Sequence, residues 1–222
     1  MGLMLLLAAV LLVDTALHLQ PAAAPEKGKP CLVIDAGHGG IDGGAVAFNG
    51  VKESDINLAI ACKLQLLADF FAQPCEMTRV DDSRRTDILS YSEHEDLVYR
   101  TERINAVENG VLISIHQNFF PTSQPFGAQV LYAAGEKSKR FGEITQNALV
   151  KHLQTENRRL AEQASPGLYI TSHVSCPAIL VECGFLSNMQ DLELLCSAEY
   201  QTCLAAVLCV SYLQFIQTIG YT

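Results

Sequence analysis

The chain has 222 residues, a length that suits one domain, and 49% of them are hydrophobic against 18% charged. That composition can bury a core and excludes a disordered tail. The formal charge of −9, with fifteen Lys and Arg that form no stripe, excludes nucleic acid as a partner, because phosphate binding needs a basic face.

From Leu3 to Val13 runs an uncharged apolar stretch, "LMLLLAAVLLV", interrupted afterwards by Asp14 and His18. It matches the apolar region of a secretory signal and falls short of the ~20 residues of a spanning helix. Ala22 and Ala24 supply a small-x-small cleavage pattern, although no Lys or Arg precedes the run. Residues 1–24 are therefore expected to be a signal peptide or membrane anchor, 25–30 a linker and 31–222 the folded domain. The domain would then be exported and touch a membrane only through its N-terminal segment. Eight cysteines, at 31, 62, 75, 176, 183, 196, 203 and 209, include no C-x-x-C pair. Several lie in apolar runs, where a thiol behaves as a small hydrophobe, so buried free cysteines are expected.

"CLVIDAG" (31–37) reads as a buried strand, and 54–71 as a helix capped by Ser54. A strand over 75–80, a polar loop, and a helix over 96–110 closed by Gly110 follow. Next come strands over 111–120 and 127–135, a helix over 136–154, strands over 167–172 and 178–185, and closing helices over 188–219. Alternating strands and helices predict an α/β fold: a single-domain, twisted, mostly parallel sheet with helices on both faces. Polar residues gather at the ends of three strands, in "VIDAGHGG", "ISIHQN" and "ILVECGF". Ligands bind outside such ends in α/β sheets.

The first of these turns, "VIDAGHGGIDGGA", offers two readings. A dinucleotide fingerprint would need glycine at 42, which is Asp42, and the P-loop Lys-Ser/Thr pair is absent. A metal reading collects His38, Glu53 and His116, the two-imidazole, one-carboxylate set of many hydrolytic zinc sites. Glu182 at another strand end would move the proton, and Asp35 would accept from a ligand imidazole. Each residue also has a plainer reading. His38 and His116 could be turn and strand-end histidines, Glu53 a partner of the helix dipole, and Glu182 a carboxylate paired with an arginine. Spacing alone leaves the choice open.

Six blocks in order settle on a resemblance: "VIDAGHGGIDGGA", "KESDINL", "MTR", "DLVYRTERIN", "ISIHQN" and "PAILVECGFLSN". From about residue 31 to the C-terminus the chain resembles the zinc-dependent N-acetylmuramoyl-L-alanine amidases. The resemblance implies Zn2+ bound by His38, Glu53 and His116, with Glu182 catalytic. It implies peptidoglycan as substrate, cut between the lactyl group of N-acetylmuramic acid and L-alanine. Arg100 and Asn105 match the family's L-x-x-R-x-x-x-x-N pattern and are read as structural rather than substrate-contacting. Gln117 stands where His or Ala is commoner, which bears on the subsites. Leu131 to Leu168 leaves room for one helix and a loop, too little for the site-plugging insertion of some relatives. The bare domain and "SEHEDLVYR" are similar to the sporulation-type amidases. That implies muramic lactam formation in the spore cortex, a place in the cell wall or forespore intermembrane space, and an activating protein partner. A zinc peptidase acting within the stem peptide and a wall-binding pseudoenzyme are the alternatives.

Overall fold

Strand β1 (Cys31–Ala36) is buried along its whole length, as a strand covered on both faces must be. The computed structural model of the protein describes residues 28–82 and 92–220. The expected signal or anchor segment and residues 25–27 of the linker lie outside the described residues, as do residues 83–91 of the expected loop.

Helix α1 (Glu53–Phe70) leads to β2 (Cys75–Met77), α2 (Glu93–Asn105), β3 (Gly110–Asn118) and β4 (Gln129–Tyr132). Then follow α3 (Glu136–His152), β5 (Glu162–Gln163), α4 (Tyr169–His173), β6 (Ala178–Phe185), α5 (Met189–Leu195) and α6 (Ala198–Thr218). The strands form one sheet in the order β2-β1-β3-β6-β4-β5. Its first four members are parallel, β4 runs antiparallel to β6, and β5 is parallel to β4.

Side chains alternate across the sheet and divide the core in two. Leu32, Ile34, Ile113, Ile115, Ile179 and Val181 pack with Ile60 and Leu64 of α1, Phe141 of α3 and Tyr212 and Phe215 of α6. Val33, Leu112 and Ala178 face the other way, against Ile104 of α2 and Ile170 of α4. Helix α6 is long and apolar enough to cross a membrane by length and composition, yet half of that stretch is buried. It is a core helix, packed on α1 and α3.

Several boundaries differ from the sequence expectation. Helix α1 starts at Glu53 behind Lys52, and Ser54 is no cap: its hydroxyl is buried without a hydrogen-bond partner. Strand β2 stops at Met77 because Thr78 turns its hydroxyl onto Asp35. Helix α2 begins at Ser92, whose Oγ accepts from the Glu95 amide. It ends at Asn105, so Gly110 opens β3 rather than closing a helix. The strand expected over 127–135 shrinks to β4. Residues 169–173 form a helical turn, not a strand, and the edge strand is β5 instead. A short apolar run such as "GLYITS" has no periodicity to separate the two. All eight cysteines are free, but only Cys31, Cys183 and Cys209 are fully buried, and Cys196 is exposed.

This topology prepares one crevice. The chain leaves β1 toward β2 on one side and crosses back through α2 to β3 on the other. The C-terminal ends of β1 and β3 are thus a switch point, where open α/β sheets bind ligands. The register shift between His116 and Asn118 falls at the same place.

Candidate active site

Beyond Ala36 the Gly37 amide still donates to Ile115 O (3.0 Å), after which the chain turns sharply. His38 takes φ 60°, a left-handed conformation that costs a residue with a Cβ about 1–2 kcal/mol. That turn aims its ring back over the start of α1. Gly37 makes the approach possible: a Cβ there would lie 2.2–2.6 Å from three atoms of the His116 ring.

His38 Nε2 lies 3.3 Å, and His116 Nδ1 3.0 Å, from the same oxygen, Glu53 Oε1. The two rings meet edge to face, with centroids 5.0 Å apart. One donor atom from each of the three residues falls within a 4.8 Å span. Glu53 is nearly buried, and the protein fixes its orientation: Oε2 accepts from the Ala45 amide (3.0 Å), Oε1 from the Gln117 amide (3.0 Å). Asp42 Oδ2 holds His38 Nδ1 at 2.7 Å, while its Oδ1 accepts from the Gly44 amide. A carboxylate can only accept, so Nδ1 carries a proton toward Asp42, and Nε2 is the nitrogen that faces Glu53.

The electrostatics agree. Burial would raise the Glu53 pKa, but hydrogen bonds and charge from His116 and His38 hold its carboxyl well below the usual range. Burial would lower His38, yet the hydrogen bonds to Asp42 and Glu53 outweigh it and raise the pKa to about 9. An anionic carboxylate between two imidazoles is a donor set that fits a divalent zinc ion. Such an ion would displace the proton that His38 directs at Glu53.

Glu182 is the register partner of His116 across β3 and β6, which sets both side chains on one face of the sheet. Its Oε2 is buried with no hydrogen-bond partner among the described residues. Burial pushes its pKa up to about 7, against the pull of His116 and His38 and with the help of Glu53. An unsatisfied buried carboxyl oxygen beside the ligand cluster is placed to handle a proton of a water or substrate.

The sequence pattern of N-acetylmuramoyl-L-alanine amidases (Amidase_3) matches residues 32–211. The chain belongs to this family. It is 32% identical over 212 residues to the germination-specific N-acetylmuramoyl-L-alanine amidase of Bacillus subtilis (strain 168), covering 90% of this chain and 85% of that protein. It superposes with a TM-score of 0.80 on the CwlD amidase from Clostridioides difficile, solved in complex with the GerS lipoprotein. That pair is 31% identical and covers 85% of this chain and 99% of the other. A second amidase structure, from Clostridium difficile 630, gives a TM-score of 0.77 at 26% identity, over 87% and 100% of the two chains.

Of the other expected site residues of this amidase, Gln117 touches the cluster through its backbone amide, while Asp35, Arg100 and Asn105 find their hydrogen-bond partners elsewhere. Asp35 accepts no hydrogen bond from an imidazole; Asp42 has that place. Asp35 instead receives Thr78 Oγ1 (2.8 Å), Ser114 Oγ (2.7 Å) and Arg100 Nη1 (3.2 Å) beneath the site. Burial would raise its pKa, but the Arg100 charge and the Ser114 hydrogen bond bring it down. Arg100 also holds Asp96 at 3.0 Å and is buried, so it is a structural cation. Asn105 donates to His173 O and accepts from the Ser175 amide, tying α2 to the segment before β6. It closes α2, and the segment it ties down leads into the start of β6, the end of that strand opposite Glu182. Gln117 is buried, and its side-chain amide donates to Asn57 Oδ1 (3.1 Å), while its Oε1 has no hydrogen-bond partner among the described residues.

Proposed function

We propose that this amidase hydrolyses the amide between the N-acetylmuramic acid lactyl group and L-alanine, with Zn2+ held by His38, Glu53 and His116. The observation that carries this reading is the convergence of two imidazole nitrogens on one anionic oxygen, with an unpartnered Glu182 oxygen alongside. Zinc bound there supplies Lewis-acid polarisation of the scissile carbonyl and of the attacking water. Glu182 takes the water's proton as the water adds to the carbonyl carbon. It then returns that proton to the alanine nitrogen as the C–N bond breaks. Asp42 holds His38 in the tautomer that leaves Nε2 available.

Likeness to a germination-specific amidase supports a role in spore peptidoglycan, where removal of the stem peptide frees muramic acid for lactam formation. The enzyme works outside the cytoplasm, reached through the apolar N-terminal segment. A relative captured with a lipoprotein supports an activating protein partner. The test is the amino terminus released from purified peptidoglycan. Free N-terminal L-alanine is expected; new termini further along the stem peptide would instead identify a peptidase.

A further inference from the structure

Strand β2 ends at Met77, and the residues that follow reach back over the turn that carries His38. Arg79 Nε donates to Ala36 O (2.9 Å), and its Nη2 to Gly37 O (3.1 Å) and Ser54 O (2.8 Å). Its Nη1 donates to Asp81 O (3.0 Å), which braces the fork within its own segment. The first three acceptors belong to the peptides beside His38 and beside Glu53. One rigid guanidinium therefore bridges two segments that each supply a metal donor.

The packing of the arginine supports the same link. Gly39 has φ 135°, and a Cβ built on it would sit 2.9 Å from Arg79 Nε. Glycine thus leaves the arginine room to lie against the turn. Asp82 Oδ1 accepts from the Gly40 amide at 3.0 Å. Residues 79–82 therefore grip the chain on both sides of His38, at 36 and 37 before it and at 39 and 40 after it. A histidine in the left-handed region needs such restraint, because its own backbone preference would swing the ring away. Asn57 Nδ2 adds a second donor to Gly37 O (3.0 Å) but reaches neither Ala36 nor Ser54 in the same way.

We propose that Arg79 is a positioning residue that fixes the separation of His38 from Glu53 and thereby sets zinc affinity, with Asp82 restraining the far side of the turn. The inference rests on the metal reading above. Lysine carries the same charge but offers a single nitrogen, so it cannot span the three carbonyls that the planar fork connects.

The experiment compares wild type, Arg79→Lys and Asp82→Ala. Zinc affinity is read by competition with a chromophoric chelator, the visible spectrum after Co2+ loading, and the urea midpoint of the metal-free protein. Arg79→Lys is expected to weaken zinc about 10–100-fold, the usual range for groups behind the ligands. It should also shift the cobalt bands while the metal-free urea midpoint stays near wild type. Asp82→Ala should weaken zinc less and in the same direction. Wild-type affinity and spectra in both variants would overturn the inference. So would an Arg79→Lys protein altered only in its metal-free midpoint. A wild-type protein that takes up no zinc would sink the metal reading and this inference together; normal wild-type uptake with unchanged variants sinks this inference alone.

Discussion

Glu182→Gln is expected to keep its zinc and to lose about 10²–10⁴-fold in kcat/KM, the range over which positioned acid–base groups act. The amide keeps the shape of the carboxylate but takes up no proton from water. The side chain stands beside His116 in register, and its Oε2 has no hydrogen-bond partner among the described residues, which leaves it free to engage a water or substrate. Burial, which pushes the pKa up to about 7 in the metal-free protein, favours the protonated carboxyl that can return a proton to an amine. The same burial has a cost that can be measured without substrate. The folded-state pKa of about 7 lies above the ordinary glutamate range, so the folded protein binds this proton more tightly than the unfolded chain. Stability from that proton is complete below about pH 4 and is lost as pH rises through 7. Metal-free Glu182→Gln escapes the loss. Relative to wild type it should gain on the order of 1–3 kcal/mol in urea unfolding between pH 5 and pH 8. A stability difference that ignores pH, or full turnover in the variant, would contradict this role.

Glu53→Ala is expected to have the larger effect on the metal. It removes the one anion between His38 and His116, and zinc affinity should fall by more than the ~100-fold lost when a group behind a ligand is removed. Zinc at about 1,000 times its Kd stabilises a folded protein by about 4.1 kcal/mol. For a chain of this size that raises the wild-type Tm by roughly 8–16 °C. The variant should show little of this rise, and chelation should bring wild type down to it. Binding must also displace a proton from His38, whose pKa the hydrogen bonds to Asp42 and Glu53 raise to about 9. Zinc affinity should therefore climb about tenfold per pH unit from pH 7 until that group has titrated. An undiminished thermal shift in Glu53→Ala would remove Glu53 from the ligand set, and a flat pH profile would remove His38.

His38, His116 and Glu182 are legible because a parallel sheet gathers the ends of β1, β3 and β6, and Glu53 because it precedes the helical pattern that follows the first of these turns. Polar residues breaking apolar runs are the trace this leaves in a sequence. Asp42 was visible only as the residue that spoiled a nucleotide fingerprint. Its contact with His38 depends on three positive φ values, at His38, Gly39 and Gly40, that no spacing rule supplies. Asp35 has the right residue type and sequence position for an imidazole partner. Ser114 and Arg100, distant in sequence, claim its oxygens instead. Arg79 stood inside a resembling block, "MTR", but the carbonyls it bridges lie 25–43 residues earlier in the chain. Ser54 looked like a cap by type, yet Glu53 has to enter the first turn to reach both imidazoles, and this moves the helix start forward.

The central claim is the identity of the zinc ligands, and X-ray absorption on the zinc-loaded protein tests it most directly. The chain carries eight cysteines, so sulfur ligation is the alternative that must be seen or not seen. Burial pushes the Cys31, Cys176 and Cys209 thiols up to about 11, and Cys75 and Cys183 to about 12. These thiols are protonated at neutral pH and ill suited to hold a metal. The account predicts a first shell of nitrogen and oxygen at roughly 2.0–2.2 Å, with imidazole outer-shell scattering from two rings. A sulfur shell at about 2.3 Å would contradict it.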